Sequence, residues 1–167
     1  MPAAHTQPMS KLLILILCTG NSCRSQMAEY FLRDVVGDVA DVASAGSDPA
    51  GYVHPLAIEV MQEKGHDLSD AVSKSCSEFL DRDIEVVITV CGNADQACPE
   101  FSGQKARYCW RFADPADTMG NDDDKRIIFR RVRDEINLVF TAYGCGLVDG
   151  KRMIVCQCNW SGVTGLA

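Results

Sequence analysis

The sequence predicts an α/β fold: a three-layer sandwich in which a four-stranded parallel sheet is flanked by helices. Two observations carry this. Leu12–Leu17 and Ile84–Val90 are short, nearly continuous apolar runs, the second rich in β-branched residues, as strands covered on both faces require. Strand-like and helix-like segments then alternate along the chain, which is the order of a parallel sheet with crossover helices.

Leu12–Leu17 is the first strand. Ser25 starts a helix that places Met27, Tyr30, Phe31 and Val35 on one face. Val39–Ser44 is the second strand, ended by Gly46 and the turn pair Asp48-Pro49. His54-Pro55 opens a second helix with Leu56, Val60 and Met61 inward, stopped at Gly65. Ser75–Leu80 reads as a short helix and Ile84–Val90 as the third strand. Asp95–Cys98 begins a helical or looped segment broken at Pro99, and Arg107–Phe112 is the fourth strand. The last long helix spans roughly Asp123–Tyr143, with Phe129, Val132, Ile136 and Val139 on one side and Gly144 as its stop.

The chain of 167 residues fits one domain, assigned to 11–144, with a loose tail at 1–10. Residues 145–167 form an extension of unclear structure in which Met153–Cys156 is a candidate edge strand. Sixteen basic against 23 acidic residues leave a net charge of −7, which excludes a general nucleic-acid surface. An anionic ligand would have to be caught by a local site. No apolar run approaches the roughly 20 residues of a membrane helix. Lys11 and Leu12–Leu17 are followed by a poor cleavage region for a signal peptide, so a cytoplasmic protein, free of membrane and expected to be monomeric, is the reading. Nine cysteines form no even framework and suit a reducing compartment, where some are chemical and the rest are small buried apolar residues.

The chemistry is concentrated after the first strand, in Cys18-Thr19-Gly20-Asn21-Ser22-Cys23-Arg24-Ser25. In open α/β sheets ligands bind beyond the carboxyl ends of strands, where a loop leads into a helix. Such a loop turns successive backbone N–H groups into one concavity that holds a tetrahedral oxyanion. The Cys-x5-Arg spacing brings the planar fork of Arg24 back to that anion. Cys18 at the mouth of a positive nest is expected to have a lowered pKa, with the Ser25 hydroxyl bonded to its sulfur. Cys23 is assigned to loop packing.

Residues 18–29, Cys-Thr-Gly-Asn-Ser-Cys-Arg-Ser-Gln-Met-Ala-Glu, resemble the anion loop of low-molecular-weight protein tyrosine phosphatases. The likeness is closer to the thioredoxin-coupled arsenate reductases built on that fold, and it covers about residues 11–143. It implies an acid supplied by an Asp-Pro pair after the last strand, here Asp114-Pro115. The phosphatases carry aromatic residues just after that pair, whereas Asp117, Thr118 and Met119 follow here.

Cys91 ends the third strand at the same sheet edge as Cys18, and Cys98 lies seven residues on. A helix between Cys91 and Cys98 would separate them by about 10 Å, beyond the ~7 Å between Cα atoms that a disulfide tolerates. Joining them needs the segment to unwind. The pair is similar in position and spacing to the redox cysteines of the reductases. The resemblance therefore implies nucleophilic attack of Cys18 on arsenate with Asp114 as acid. A Cys18–Cys91 disulfide then passes to Cys91–Cys98 and is reduced by thioredoxin, with no bound cofactor. The alternative is a phosphatase that uses only Cys18, Arg24 and Asp114; a third is a redox-sensing module that binds an oxyanion without turnover.

Some members of the family hold potassium near the loop through an Asn, a Glu, a Ser and an Asp. Asn21, Glu29 and Ser44 match the first three, and Lys74 stands in the fourth place, so no metal is expected. Cys76 and Cys109 are expected to be buried without a role, and Cys145, Cys156 and Cys158 lie outside the family pattern.

Overall fold

A computed structural model of the chain describes residues 11–150. The tail at 1–10, the candidate strand Met153–Cys156, Cys156 and Cys158 lie outside the described residues. Four strands, β1 (Leu12–Cys18), β2 (Ala40–Gly46), β3 (Val86–Thr89) and β4 (Ala106–Cys109), form one sheet in the order β2-β1-β3-β4. All three strand pairings are parallel. Successive residues of β1 and β3 are buried, so both sheet faces are covered.

The helices are α1 (Arg24–Val36), α2 (Pro55–Gln62), α3 (Gly92–Ala97) and α4 (Asp122–Val148). Two 3-10 turns stand at Cys76–Phe79 and Pro115–Asp117. α1 buries Met27, Ala28, Phe31 and Leu32, and packs against α4 and β2; Tyr30 and Val35 sit at the edge of that face. α2 begins as its sequence requires: His54 Nδ1 accepts from Leu56 N at 3.1 Å, and Pro55 has no amide to satisfy. Among the described residues no helix is long and apolar enough to cross a membrane.

Several boundaries differ from expectation, among them β2, which runs on through Gly46, and α3, which begins at Gly92 directly after Cys91 rather than at Asp95. β3 and β4 are shorter than the runs that announced them, because the ladder lasts only from Val86 to Thr89. Trp110 then leaves the sheet to pack edge-on against Phe140 and Tyr143, at 5.1 and 5.2 Å between ring centroids. Gly144 does not stop α4. The helix runs through it to Val148, and the glycine has a packing role instead: a Cβ there would lie 2.9 Å from Val35 Cγ1. Glycine at that point lets α1 and α4 approach; the left-handed residue past the helix end is Gly150, with φ +64°.

Chain order makes the centre of the sheet a switch point. From β1 the chain moves outward to β2, then returns to the other side of β1 for β3. Crossovers leave in opposite directions there, opening a crevice at the carboxyl ends of β1 and β3. Cys18 ends β1, and Cys91 lies two residues beyond β3.

Candidate active site

The loop after β1 is held by its carbonyls. Those of Cys18, Thr19, Gly20 and Ser22 accept from the amides of Ser47, Asp48, Ala50 and His54 at 2.9–3.1 Å. The carbonyls of Asn21 and Cys23 accept from Gln26 Nε2 and Met27 N. In a trans peptide the following N–H points opposite to the carbonyl. Carbonyls drawn outward therefore turn the amides inward, and the Asn21 amide reaches Cys18 Sγ at 3.0 Å. Gly46 is required by this packing, since a Cβ on it would sit 2.4 Å from Thr19 O.

Asn21 is the keystone of the loop. It takes a left-handed backbone with φ +46°, tolerable for Asn, and its side chain is fully engaged. Nδ2 donates to Ser25 Oγ and Ser44 Oγ at 2.9 Å, and Oδ1 accepts from Lys74 N at 2.8 Å and Gln26 Nε2 at 3.1 Å. Ser25 Oγ in turn lies 2.8 Å from Cys18 Sγ, as expected.

The expected lowering of the Cys18 pKa does not hold in this state. Burial raises it; the Ser25 and Asn21 hydrogen bonds and Arg24 pull the other way without prevailing. The nearby Cys91 thiol adds to the rise, and Arg24 already has an anion of its own. Its guanidinium pairs with the Asp114 carboxylate and donates to Phe112 O at 3.0 Å. The second Asp114 oxygen accepts from Ala116 N at 3.1 Å and caps the turn at 115–117. Cys23 is buried, within 3.7 Å of Ser22 Oγ, and burial pushes its thiol up to about 12. That fits the packing role assigned to it.

Thr19, Arg24, Cys91, Gly92, Asn93, Asp114 and Asp117 line a cavity of about 390 Å³ at the crevice. Cys91 Sγ is 3.4 Å from Thr19 Oγ1, so the second thiol stands at the loop that holds the first. Cys98 is elsewhere. It follows α3, which is folded between it and Cys91, and its buried thiol lies against that of Cys76. Burial first, then the neighbouring Cys76 thiol, raise Cys98 to about 12. Cys76 is buried as expected, whereas Cys109 is exposed because it points off the outer strand β4. Cys145 is exposed on α4.

Two arginines escaped the sequence reading. Arg107 on β4 donates to Asp95 Oδ1 and Asp95 O at 3.1 Å and to Pro99 O at 3.3 Å, fastening α3 at its far end. Arg33 pairs with Glu29, the carboxylate that also accepts from Ser44 Oγ and faces Lys74 Nζ at 3.8 Å. Spacing offered a signal only for Arg33, four residues after Glu29 on one helix. Nothing local marks Arg107, because its partner comes from another element.

A cysteine at a switch point, ringed by inward amides and followed by an arginine, defines a thiol-based oxyanion enzyme. Residues 13–143 match the low molecular weight phosphotyrosine protein phosphatase family, and the chain belongs to that family. Its similar relatives include an arsenate reductase of Halalkalibacterium halodurans, 46% identical over 77% of this chain and 91% of that protein. An arsenate reductase of Bacillus subtilis is 41% identical over the same shares. Among solved structures, an arsenate reductase in its oxidized state superposes with a TM-score of 0.69 at 30% identity, covering 81% of this chain and 98% of that one. A thioredoxin-dependent arsenate reductase of Corynebacterium glutamicum superposes with a TM-score of 0.61 at 26% identity, covering 83% of this chain and 65% of that one.

Proposed function

We propose that the chain is an arsenate reductase that takes its electrons from thioredoxin through Cys18, Cys91 and Cys98. The observation that carries this is the position of Cys91, 3.4 Å from Thr19 of the anion loop and lining the same cavity as Arg24 and Asp114. A hydrolase needs no second thiol there. The relatives named above, at 41–46% identity, carry the same activity in their names.

Arsenate enters the ring of amides and takes Arg24, which releases Asp114. The Cys18 sulfur attacks arsenic, an As–O bond breaks, and the proton that the thiol gives up passes to the freed Asp114 carboxylate and from it to the oxygen, which leaves as water. Cys91 then attacks Cys18 Sγ. A Cys18–Cys91 bond forms, the S–As electron pair passes to arsenic, and arsenite departs. Cys98 attacks Cys91 once α3 unwinds, and the Cys91–Cys98 disulfide is reduced by thioredoxin. The oxyanion's own charge is met by Arg24 and the loop amides, so the site needs no metal.

The test supplies the purified protein with arsenate, thioredoxin, thioredoxin reductase and NADPH, and follows NADPH loss. Arsenate-dependent consumption is expected, and Cys98→Ser should release one arsenite per chain and stop at Cys18–Cys91. Sustained thioredoxin-driven turnover by Cys98→Ser would overturn the three-thiol route. Weak hydrolysis of para-nitrophenyl phosphate is expected too, because the anion loop is shared; hydrolysis without arsenate reduction would make the protein a phosphatase.

A further inference from the structure

α3 sets a problem for the relay. Cys91 precedes this helix and Cys98 follows it, so about 10 Å of helix separates them. A Cys91–Cys98 disulfide cannot coexist with the folded segment. The partner that Cys98 does meet in the folded protein is Cys76, and both side chains are buried, each 8% exposed. Cys76 is rigidly placed. It opens the turn at 76–79 behind a capping box, in which Ser77 N donates to Ser75 Oγ at 3.2 Å and Ser75 N to Glu78 Oε1 at 3.0 Å. Ser75 itself bridges to Gly46 beside the anion loop.

We propose that Cys76 is a fourth redox thiol, which takes the disulfide over from Cys91 and lets α3 refold with the bond stored as Cys76–Cys98. The proposal rests on the arsenate relay for the origin of the oxidising equivalent. The Cys76 sulfur attacks Cys98 Sγ; the Cys76–Cys98 bond forms, the Cys91–Cys98 bond breaks, and the proton lost by Cys76 ends on Cys91. One thiol and one disulfide enter and leave, so the step needs no external oxidant. Cys18 and Cys91 are then both reduced beside a folded α3, and a second arsenate can be reduced before thioredoxin arrives. The stored bond lies under α3 and is returned to Cys91 when the segment next unwinds.

The experiment gives fully reduced, desalted protein an excess of arsenate without any reductant, and measures arsenite per chain. Wild type should release about two equivalents, and Cys76→Ser and Cys76→Ala about one, since each arsenate consumes two thiols. Digestion with trypsin and Asp-N separates Cys91 from Cys98 at Asp95, and wild type should yield a Cys76–Cys98 cross-linked pair. One equivalent from wild type, or two from the Cys76 variants, would overturn the proposal. Limited oxidation of wild type by diamide is the arm that does not need arsenate. If no form releases arsenite, the reductase reading falls, while a Cys76–Cys98 cross-link under diamide still supports the thiol pair and its absence refutes it.

Discussion

Arg24 and Asp114 are bound to each other: the guanidinium that would hold an oxyanion carries the carboxylate that would protonate its leaving oxygen. The pair lies at the mouth of the cavity, with side chains 12% and 33% exposed. On the proposed mechanism an incoming oxyanion takes Arg24 from Asp114, which makes binding and release of the acid one event. Asp114 stays attached through Ala116 N, which keeps it at the site once the ion pair has opened.

Asp114→Asn should therefore split two properties. Losing the proton donor should slow arsenite release in a single turnover by about 100-fold, the low end of what a general acid contributes. Losing the competing carboxylate should tighten binding of phosphate, an oxyanion that is not reduced, measured by calorimetry. An unchanged single-turnover rate would remove Asp114 from the acid role.

The raised thiols give a pH dependence of stability. Cys23 moves from 9.0 to about 12 on folding, and Cys98 shifts in the same direction. Between those values the unfolded chain has lost protons that the folded chain keeps, so fewer protons are bound in the unfolded state and unfolding free energy falls as pH rises. This stability is fully present below pH 9 and declines through about 12, with a limiting slope of about 1.4 kcal/mol per pH unit for each such thiol. Urea titrations of wild type and Cys23→Ser from pH 8 to 10.5 should converge as pH rises. Parallel curves would show that Cys23 is not held neutral by the fold.

Much of this was legible in the chain, and the reasons for the rest are specific. Leu12–Leu17 announced β1 because a run buried on both faces needs no alternation, and Cys18–Arg24 announced the anion loop because its chemistry is contiguous. Gly144 misled, since a glycine inside a helix and one that ends it look the same until Val35 of another helix is placed against it. The shift of Cys18 also escaped sequence. It depends on burial and on the Cys91 thiol, which the fold brings near from beyond another strand. Long-range partners of this kind leave no local pattern.

Arg107 is a restraint on α3, beside the Thr89 hydroxyl that also donates to Asp95, and the proposed relay would have to overcome it. Arg107→Ala removes the hydrogen bonds to Asp95 and Pro99, a loss of about 1–3 kcal/mol of local stability. Amide exchange over residues 92–98 should then accelerate about tenfold or more, while the strands β1 and β3 keep their protection. Conversion of the Cys18–Cys91 disulfide to Cys91–Cys98, followed by quenched digestion, should also quicken. Equal conversion rates in the variant and wild type would mean that opening of α3 does not limit this step.

Glu29 is the residue on which a response to potassium would turn. A monovalent cation near the anion loop would need this buried carboxylate, with Ser44 and Asn21 beside it. Here Arg33 pairs with Glu29 from its own helix and Lys74 Nζ stands 3.8 Å away, so two covalently attached cations already answer one negative charge. A third would be repelled, and the residues do not fit the ion. Turnover should be the same within about twofold in potassium and sodium chloride at equal ionic strength, because screening alone is then common to both. Lys74→Ala leaves Arg33 in place and should keep that indifference. Strong activation of wild type by potassium over sodium would show that Glu29 remains open to a metal ion despite its two neighbours.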